Sequence, residues 1–311
     1  MSTLGVVTNP TSGSGRGARW GAEALAALAA RGHRLRDLSA GSWAASLESA
    51  IAHRDDLDAL VVVGGDGMVH LGVQACAAHR LPLGIVAAGS GNDSATALDL
   101  PVRDVDAAVA RIDLALRTDS SAEVDVAAVV GPAVEHPAQP RYALAIVSAG
   151  IDAAVSARAR TMRRPRGPLK YRLAIAQELP RFTPYGVTVE IDGESVSQTC
   201  TLVAVANGPL IGGGLPLSPH SSLTDGLLEL VLADGLTPTQ IVPLFAALTK
   251  GRHLEDPRVR VMQVREVSVR HDPSVGRPLP PAFADGELVG AGPLTVSVVP
   301  RGLRVLGASP R

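Results

Sequence analysis

Lysine is almost missing from this 311-residue chain. Lys170 and Lys250 are the only two, and nearly all positive charge is arginine. A phosphate loop centred on lysine is therefore not expected. Aromatic residues make up only 3%, so the core falls to Val, Leu, Ile and Ala. The two cysteines, Cys76 and Cys200, lie far apart without metal-ligand spacing. A reduced, cytosolic compartment fits that usage. The formal net charge is −1, which disfavours nucleic acid as a partner. No apolar run reaches the ~18–20 residues of a membrane span. Met1 to Val7 runs straight into a strand-like segment with no signal-peptide layout. Any membrane contact is expected to be peripheral.

What is present is an ordinary globular balance: 46% hydrophobic residues, 19% charged, 32 Gly and 23 Pro. The length is comfortable for two domains. The first part alternates short apolar runs with helical stretches. Strands are expected at Leu4–Thr8, Arg34–Leu38, Leu57–Val63 and Leu83–Ala87. Helices are expected at Gly17–Ala30, Trp43–Ala52, Val69–Ala78, Asn92–Leu98 and Val105–Leu116. Such alternation implies a Rossmann-like parallel sheet with helices on both faces.

The texture changes near Thr118. Strand-like runs follow at Ala122–Val130, Tyr142–Ser148, Val187–Ile191, Cys200–Ala206, Leu227–Leu232, Val259–Val269 and Leu294–Val298. Helical patterns interrupt them at Leu169–Leu179 and Pro238–Leu248, and Gly131–Pro140 reads as a Pro-rich loop. Alternation in Val187–Ile191 fits half-buried antiparallel strands. The expected organisation is an α/β domain over residues 1–117 and a β-sandwich-like domain over 118–295. Residues 296–311 return to the first domain.

Three loops of the first domain share one design: an apolar strand, a glycine-bearing turn, then a helix. They are Asn9-Pro-Thr-Ser-Gly-Ser-Gly-Arg-Gly17, Gly64-Gly-Asp-Gly67 and Gly89-Ser-Gly-Asn-Asp93. In a parallel sheet such loops gather at the carboxyl ends of the strands, where ligands bind. Glycine lets the backbone approach a phosphate, and N–H groups at a helix start attract the anion. One Gly-Gly-Asp-Gly is as readily a plain turn as a site; three successive loops point to a nucleotide.

The ordered set Asn9-Pro-x-Ser-Gly, Gly64-Gly-Asp-Gly67 and Gly89-Ser-Gly-Asn-Asp93 resembles the bacterial diacylglycerol kinase family, which also includes sphingosine and ceramide kinases. The resemblance continues through Gly150-Ile-Asp-Ala153, Arg166-Gly-Pro-Leu-Lys-Tyr171, Asn207-Gly, Gly212-Gly-Gly214, Asp225-Gly226 and Asp285-Gly-Glu287. It departs at Met68, His70 and Leu71, where Thr and then Asn-Glu are common, at Ser90, where Thr is usual, and at Ser94, where an aromatic is common. The fold it implies is that of the NAD kinase and diacylglycerol kinase type. The activity it implies is transfer of the γ-phosphate of ATP to a lipid hydroxyl, with diacylglycerol the first candidate. A sphingoid base, NAD, or a nucleotide-binding protein without catalysis are the alternatives.

The cofactors implied are ATP and Mg²⁺. Nucleotide contacts are expected from Asn9, Ser12, Gly13, Ser39, Gly64, Gly65, Asp66, Gly67, Met68, Gly89, Ser90, Gly91 and Asn92. Phosphoryl transfer also needs a base for the attacking hydroxyl. The resemblance favours Glu287, with Asp285 close behind and Asp66 as the rival. Asp285-Gly alone would read as a hairpin turn, as Asp192-Gly does. Metal ligation is expected at Asp93 and at Asp225 with the carbonyls of Ser222 and Leu227; Asp152 and Arg166 are expected toward the substrate.

Arg158, Arg160, Arg163, Arg164, Arg166, Lys170 and Arg172 form the one dense basic stretch. It suggests contact with the anionic inner face of the membrane, or simply a solvated face. The expected location is cytoplasmic and peripheral, and a homodimer stays open. The remaining histidines are scattered without an evident role.

Overall fold

The computed structural model describes residues 1–132, 134, 140–162, 164 and 168–310. The expected alternation opens the chain. It runs β1 (Thr3–Thr8), the single turn α1 (Ser12–Gly15), α2 (Gly17–Ala30), β2 (Arg34–Asp37), α3 (Trp43–His53), β3 (Ala59–Gly64), α4 (Asp66–Cys76), β4 (Leu83–Ala87), α5 (Asp93–Ala97) and α6 (Val105–Arg117). The four strands pair in parallel in the order β2-β1-β3-β4. β3 and β4 are buried along their whole length, because helices cover both faces. Trp20, Ala24 and Leu28 of α2 and Val105, Val109 and Ile112 of α6 share one cluster. Ala50 of α3 and Val69, Leu71 and Val73 of α4 belong to the other.

The second part comprises β5 (Ser121–Val130), β6 (Arg141–Ala143), β7 (Ile146–Gly150), α7 (Ile151–Thr161), α8 (Pro168–Glu178), β8 (Tyr185–Ile191), β9 (Glu194–Ala206), β10 (Leu228–Asp234), α9 (Pro238–Leu248), β11 (Val259–Val264), β12 (Glu266–His271), β13 (Ala282–Ala284), β14 (Glu287–Gly290) and β15 (Leu294–Leu306). Its strands pair antiparallel around a β-sandwich core that includes Val187, Val203, Leu230, Val267 and Ala284. β15 joins the two parts. Its first half pairs with β12, β5 runs antiparallel beside it, and Val305 reaches Leu83 of β4 in parallel.

Three differences from the sequence expectations have physical causes. Tyr142–Ser148 and Val259–Val269 each divide into two strands, since each segment changes partner midway. Helix α7 was not expected. Its buried residues are only Ala153, Val155 and Ala159, too few and too small to print an apolar stripe. Residues 133 and 135–139 of the Pro-rich loop lie outside the described residues, as do Arg163 and Arg166 of the basic stretch.

Candidate active site

The three glycine loops meet at the carboxyl ends of β1, β3 and β4. The second and third touch backbone to backbone. A Cβ on Gly89 would stand 2.3 Å from the Gly65 Cα, closer than real Cβ atoms approach. Only glycine on both sides lets these loops pack. Ala88 N–H donates to the Gly64 carbonyl at 2.7 Å, fixing the pair. Asn92 sits at φ 69, a left-handed conformation that Asn tolerates. Its Oδ1 accepts from Gly89 N–H at 2.8 Å and its Nδ2 donates back to the Gly89 carbonyl at 3.0 Å.

Asp66 ties the second loop to the third. Its Oδ2 accepts from Asn92 N–H at 2.8 Å and its Oδ1 from Ser94 N–H at 3.4 Å. Both oxygens are thus engaged by backbone, which argues against Asp66 as a base. Helix α4 starts at this aspartate without a side-chain N-cap. The N–H groups of its first turn, Asp66 and Gly67 among them, have no partner inside the helix and point along its positive end. In the first loop, Asn9 Oδ1 accepts from the N–H and hydroxyl of Thr11, and Ser12 Oγ donates to the Asn9 carbonyl. Gly13 carries φ +57 against the Trp20 ring and the Ala88 carbonyl. Ser39 accepts from Thr8 N–H at 2.9 Å and so secures the end of β1. Ser90 is exposed at the tip of the third loop, whose Ser90 carbonyl accepts from Arg103.

Met68 is a correction. Its side chain is 5% exposed and lies beneath Gly64, and its N–H donates to the Gly65 carbonyl. It offers a nucleotide neither a hydroxyl nor a free N–H.

The second part of the chain closes on these loops at two places. Gly213 N–H donates to Asp93 Oδ2 at 2.7 Å, which brings the Gly212–Gly214 turn over the third loop. Burial pushes the Asp93 carboxyl above its ordinary value; the Gly213 hydrogen bond pulls against this and the charge of Asp66 adds to it. The other contact is the β13–β14 hairpin. Asp285 and Gly286 adopt φ 50 and φ 83, a left-handed pair typical of two-residue hairpins. Asp192 and Gly193 do the same between β8 and β9.

The two acids of this hairpin have different surroundings. The Asp285 side chain is 3% exposed. Its oxygens accept from the N–H groups of Leu144, Ala145 and Ile146 at 2.9–3.1 Å, and His70 Nδ1 lies 3.3 Å from Oδ2. With its lone pairs so engaged, Asp285 is poorly placed to accept a proton from a substrate; here the sequence expectation of a base is corrected to a clamp. Glu287 Oε1 comes within 3.4 Å of the position a Cβ on Gly67 would take. Its Oε2 accepts from Arg160 at 2.8 Å, and the carboxylate keeps 34% exposure. Glu287 thus faces the first turn of α4, and among the described residues its other oxygen has no hydrogen-bond partner.

His70 and Arg160 were not singled out as site residues from sequence. His70 stacks on Trp43 at 6.0 Å between centroids, and Trp43 Nε1 donates to the Gly67 carbonyl. Its one sequence signal was its place where Asn is common in the resembling family.

Asp225 is exposed, and its Oδ1 accepts from Leu227 N–H at 3.0 Å. The turn is held from below by buried Asp125, which accepts from Gly226 N–H and Arg301 N–H. Ser222 Oγ meets Thr224 Oγ1. Among the described residues no cluster of three His, Cys, Asp or Glu side chains forms a metal cage. The oxygens of Asp93 and Asp225 are nonetheless the hard donors Mg²⁺ prefers, and that ion needs only one or two carboxylates beside phosphate and water. Asp152, at the start of α7, has a buried Oδ1 without a partner. Burial pushes its carboxyl up, opposed by a hydrogen bond from Ser148.

A cavity of about 670 Å³ at the opposite, amino end of the parallel strands, lined by Arg54, His79, Arg80 and Arg304, lies away from all of these groups.

Residues 3–129 match the model of the diacylglycerol kinase catalytic domain, and residues 145–307 match the YegS C-terminal NAD kinase beta sandwich-like domain. A diacylglycerol kinase of Mycobacterium tuberculosis (strain ATCC 25618 / H37Rv) is 32% identical over 96% of this chain and 93% of its own length. A diacylglycerol kinase of Staphylococcus carnosus (strain TM300) is 25% identical over 85% of this chain and 83% of its own. A crystal structure of a diacylglycerol kinase from Bacillus anthracis str. Sterne superposes with a TM-score of 0.69 at 17% identity, covering 99% of this chain and 97% of that one. The last shows the fold; the first two, with the matched domains, show that this chain belongs to the diacylglycerol kinase family and is a lipid kinase.

Proposed function

We propose that the enzyme transfers the γ-phosphate of ATP to the free hydroxyl of diacylglycerol, giving phosphatidic acid, with Glu287 accepting the hydroxyl proton. The observation that carries this reading is the place of Glu287: against Gly67, at the unsatisfied N-terminus of α4, with one oxygen uncommitted. The triphosphate would rest on the N–H groups of the glycine loops and of the α4 first turn. The acceptor oxygen attacks the γ-phosphorus, the bond to the β-phosphate bridging oxygen breaks, and ADP leaves. Glu287 takes the proton as the new P–O bond forms. Arg160 would keep Glu287 aimed until then.

Mg²⁺, when bound, would neutralise phosphate charge. Asp93 beside Asp66 would hold one ion, and Asp225 with the carbonyls of Ser222 and Leu227 a second, structural one. A carboxylate whose proton affinity is raised by burial and by the charge of Asp66 suits a cation between protein and phosphate.

Asp152 would meet the lipid rather than the reacting hydroxyl. Eight residues of helix, about 12 Å, separate it from Arg160. The buried Oδ1 of Asp152, without a partner among the described residues, would be the polar contact for the lipid's glycerol ester region. In the basic stretch, Arg158 pairs with Glu178 and Arg160 with Glu287. Arg164, Lys170 and Arg172 are left as the described cations for an anionic leaflet. Among the described residues no helix is long and apolar enough to cross a membrane, and the enzyme would meet its substrate from the cytoplasmic side.

The test is a phosphorylation assay with radiolabelled ATP and diacylglycerol, a sphingoid base and NAD in parallel. Labelled phosphatidic acid from the wild type and none from Glu287→Gln is the expected result. Product from NAD alone, or full activity in Glu287→Gln, would overturn the reading.

A further inference from the structure

Helix α9, Pro-Thr-Gln-Ile-Val-Pro-Leu-Phe-Ala-Ala-Leu, has no charged residue and no buried one. A surface helix ordinarily turns charged side chains to water and an apolar stripe to the core. Here the inner side is apolar: Ile241 packs on the sandwich core, and Leu244 and Leu248 on the cluster around Val231. The outer side is apolar as well. Val242 is 56% and Phe245 42% exposed, with exposed Pro243 and Ala246 beside them. Val261, on the edge strand β11, pairs with Val231 beneath the same helix and is also exposed.

Among the described residues two cations whose side chains have no hydrogen-bond or ion-pair partner flank this face, Lys250 and Arg181. Lys250 follows the helix, and Arg181 lies on the short 3-10 turn Leu179–Arg181 against which α9 packs. Both are exposed. An apolar, uncharged face rimmed by such cations is complementary to an anionic lipid leaflet, with side chains entering the acyl boundary and cations at the head groups.

The back of α9 reaches the site. Leu248 shares its cluster with Ile211 and Leu217, and Gly251 lies against Pro216. These belong to the loop that delivers Gly213 N–H to Asp93.

We propose that α9 is an apolar membrane-docking element of this lipid kinase, inserting Val242 and Phe245 into an anionic leaflet beside the basic stretch's electrostatic contact. Docking there holds the loop over the third glycine turn at the surface from which the lipid is drawn. The proposal rests on the diacylglycerol reading only for its kinetic consequence; docking itself is independent of it.

The experiment compares the wild type with Val242→Asp/Phe245→Asp on vesicles of phosphatidylglycerol and phosphatidylcholine, without ATP. Partition should weaken by about tenfold or more, and Phe245→Trp should show a blue-shifted emission on adding vesicles. Lys250→Gln with Arg181→Gln should weaken binding to these vesicles and leave binding to pure phosphatidylcholine unchanged. Turnover of vesicle-borne diacylglycerol should fall with partition in the double Asp variant, while turnover of a short-chain, monomerically dissolved diacylglycerol stays within about twofold. Equal partition of wild type and double Asp variant overturns the proposal. So does a wild-type dimer that this variant dissociates, since the face then binds a second copy. Vesicle binding through α9 without phosphorylation of diacylglycerol would uphold docking and refute the substrate reading.

Discussion

The Nδ1 of His70 lies 3.3 Å from Oδ2 of Asp285, although 215 positions separate them in the chain. Through this pair the helix that begins at the second glycine loop is joined to the hairpin that carries Glu287. The same carboxylate gathers the N–H groups of Leu144, Ala145 and Ile146. The distance between the α4 N-terminus and Glu287 is therefore set by buried hydrogen bonds, not by a free loop.

Asp285→Ala should lose about 3 kcal/mol or more, because it strands three N–H groups with no carboxylate and each unsatisfied buried donor costs about 1–3 kcal/mol. Urea unfolding would measure it. Asp192→Asn, in a turn of the same backbone shape but exposed, should stay within about 0.5 kcal/mol of wild type.

Glu287→Gln should lower kcat by about 10²–10⁴-fold while nucleotide affinity, read by calorimetry, stays unchanged. Arg160→Ala should leave the fold intact and lower kcat by about tenfold, since Glu287 loses the hydrogen bond that aims it. An unchanged kcat would show that Arg160 does not position Glu287.

Gly89→Ala should weaken ATP binding by about 10²-fold, the scale of an ångström misplacement at a site. Its Cβ would collide with the Gly65 backbone and part the two loops. Gly41→Ala, where a Cβ meets nothing within 4 Å, serves as the silent control.

Asp93 gives a pH prediction whose sign follows from burial. Its folded-state carboxyl is raised from the ordinary 3.8, so its ionisation costs stability above that pH, and the cost is relieved as pH falls through the raised value. Mg²⁺ binding requires the ionised form and should therefore strengthen as pH rises through the same window. Asp93→Asn should raise the metal-free Tm by about 1–3 °C and remove much of the stabilisation that Mg²⁺ with ATP confers. Thermal unfolding with and without Mg²⁺ checks both.

Much of the first half was legible in the chain. Gly17–Ala30 reads as a helix and is one to the residue; the glycine loops follow the strands that were expected to carry them. There the signals are local: apolar periodicity, and glycines placed where a backbone must turn or touch. In the second half, α7 hides behind alanines, and strand divisions depend on which neighbour each segment meets.

The amino-acid sequence by itself determined the alternating α/β half, the three loops that gather at its strand ends, and the turns at Asp192-Gly and Asp285-Gly, because these follow from short-range sterics and hydrophobic period. Local pattern alone could not tell those two turns apart; only the order of the surrounding motifs did. One is left in water and the other is drawn onto the N–H groups of Leu144 to Ile146, and only β13 pairing with β7 brings those donors within reach. The surroundings of Asp285, Glu287 and Met68 were decided at that level. Whether a carboxylate is engaged or available depends on the donors around it, and those come from distant parts of the chain.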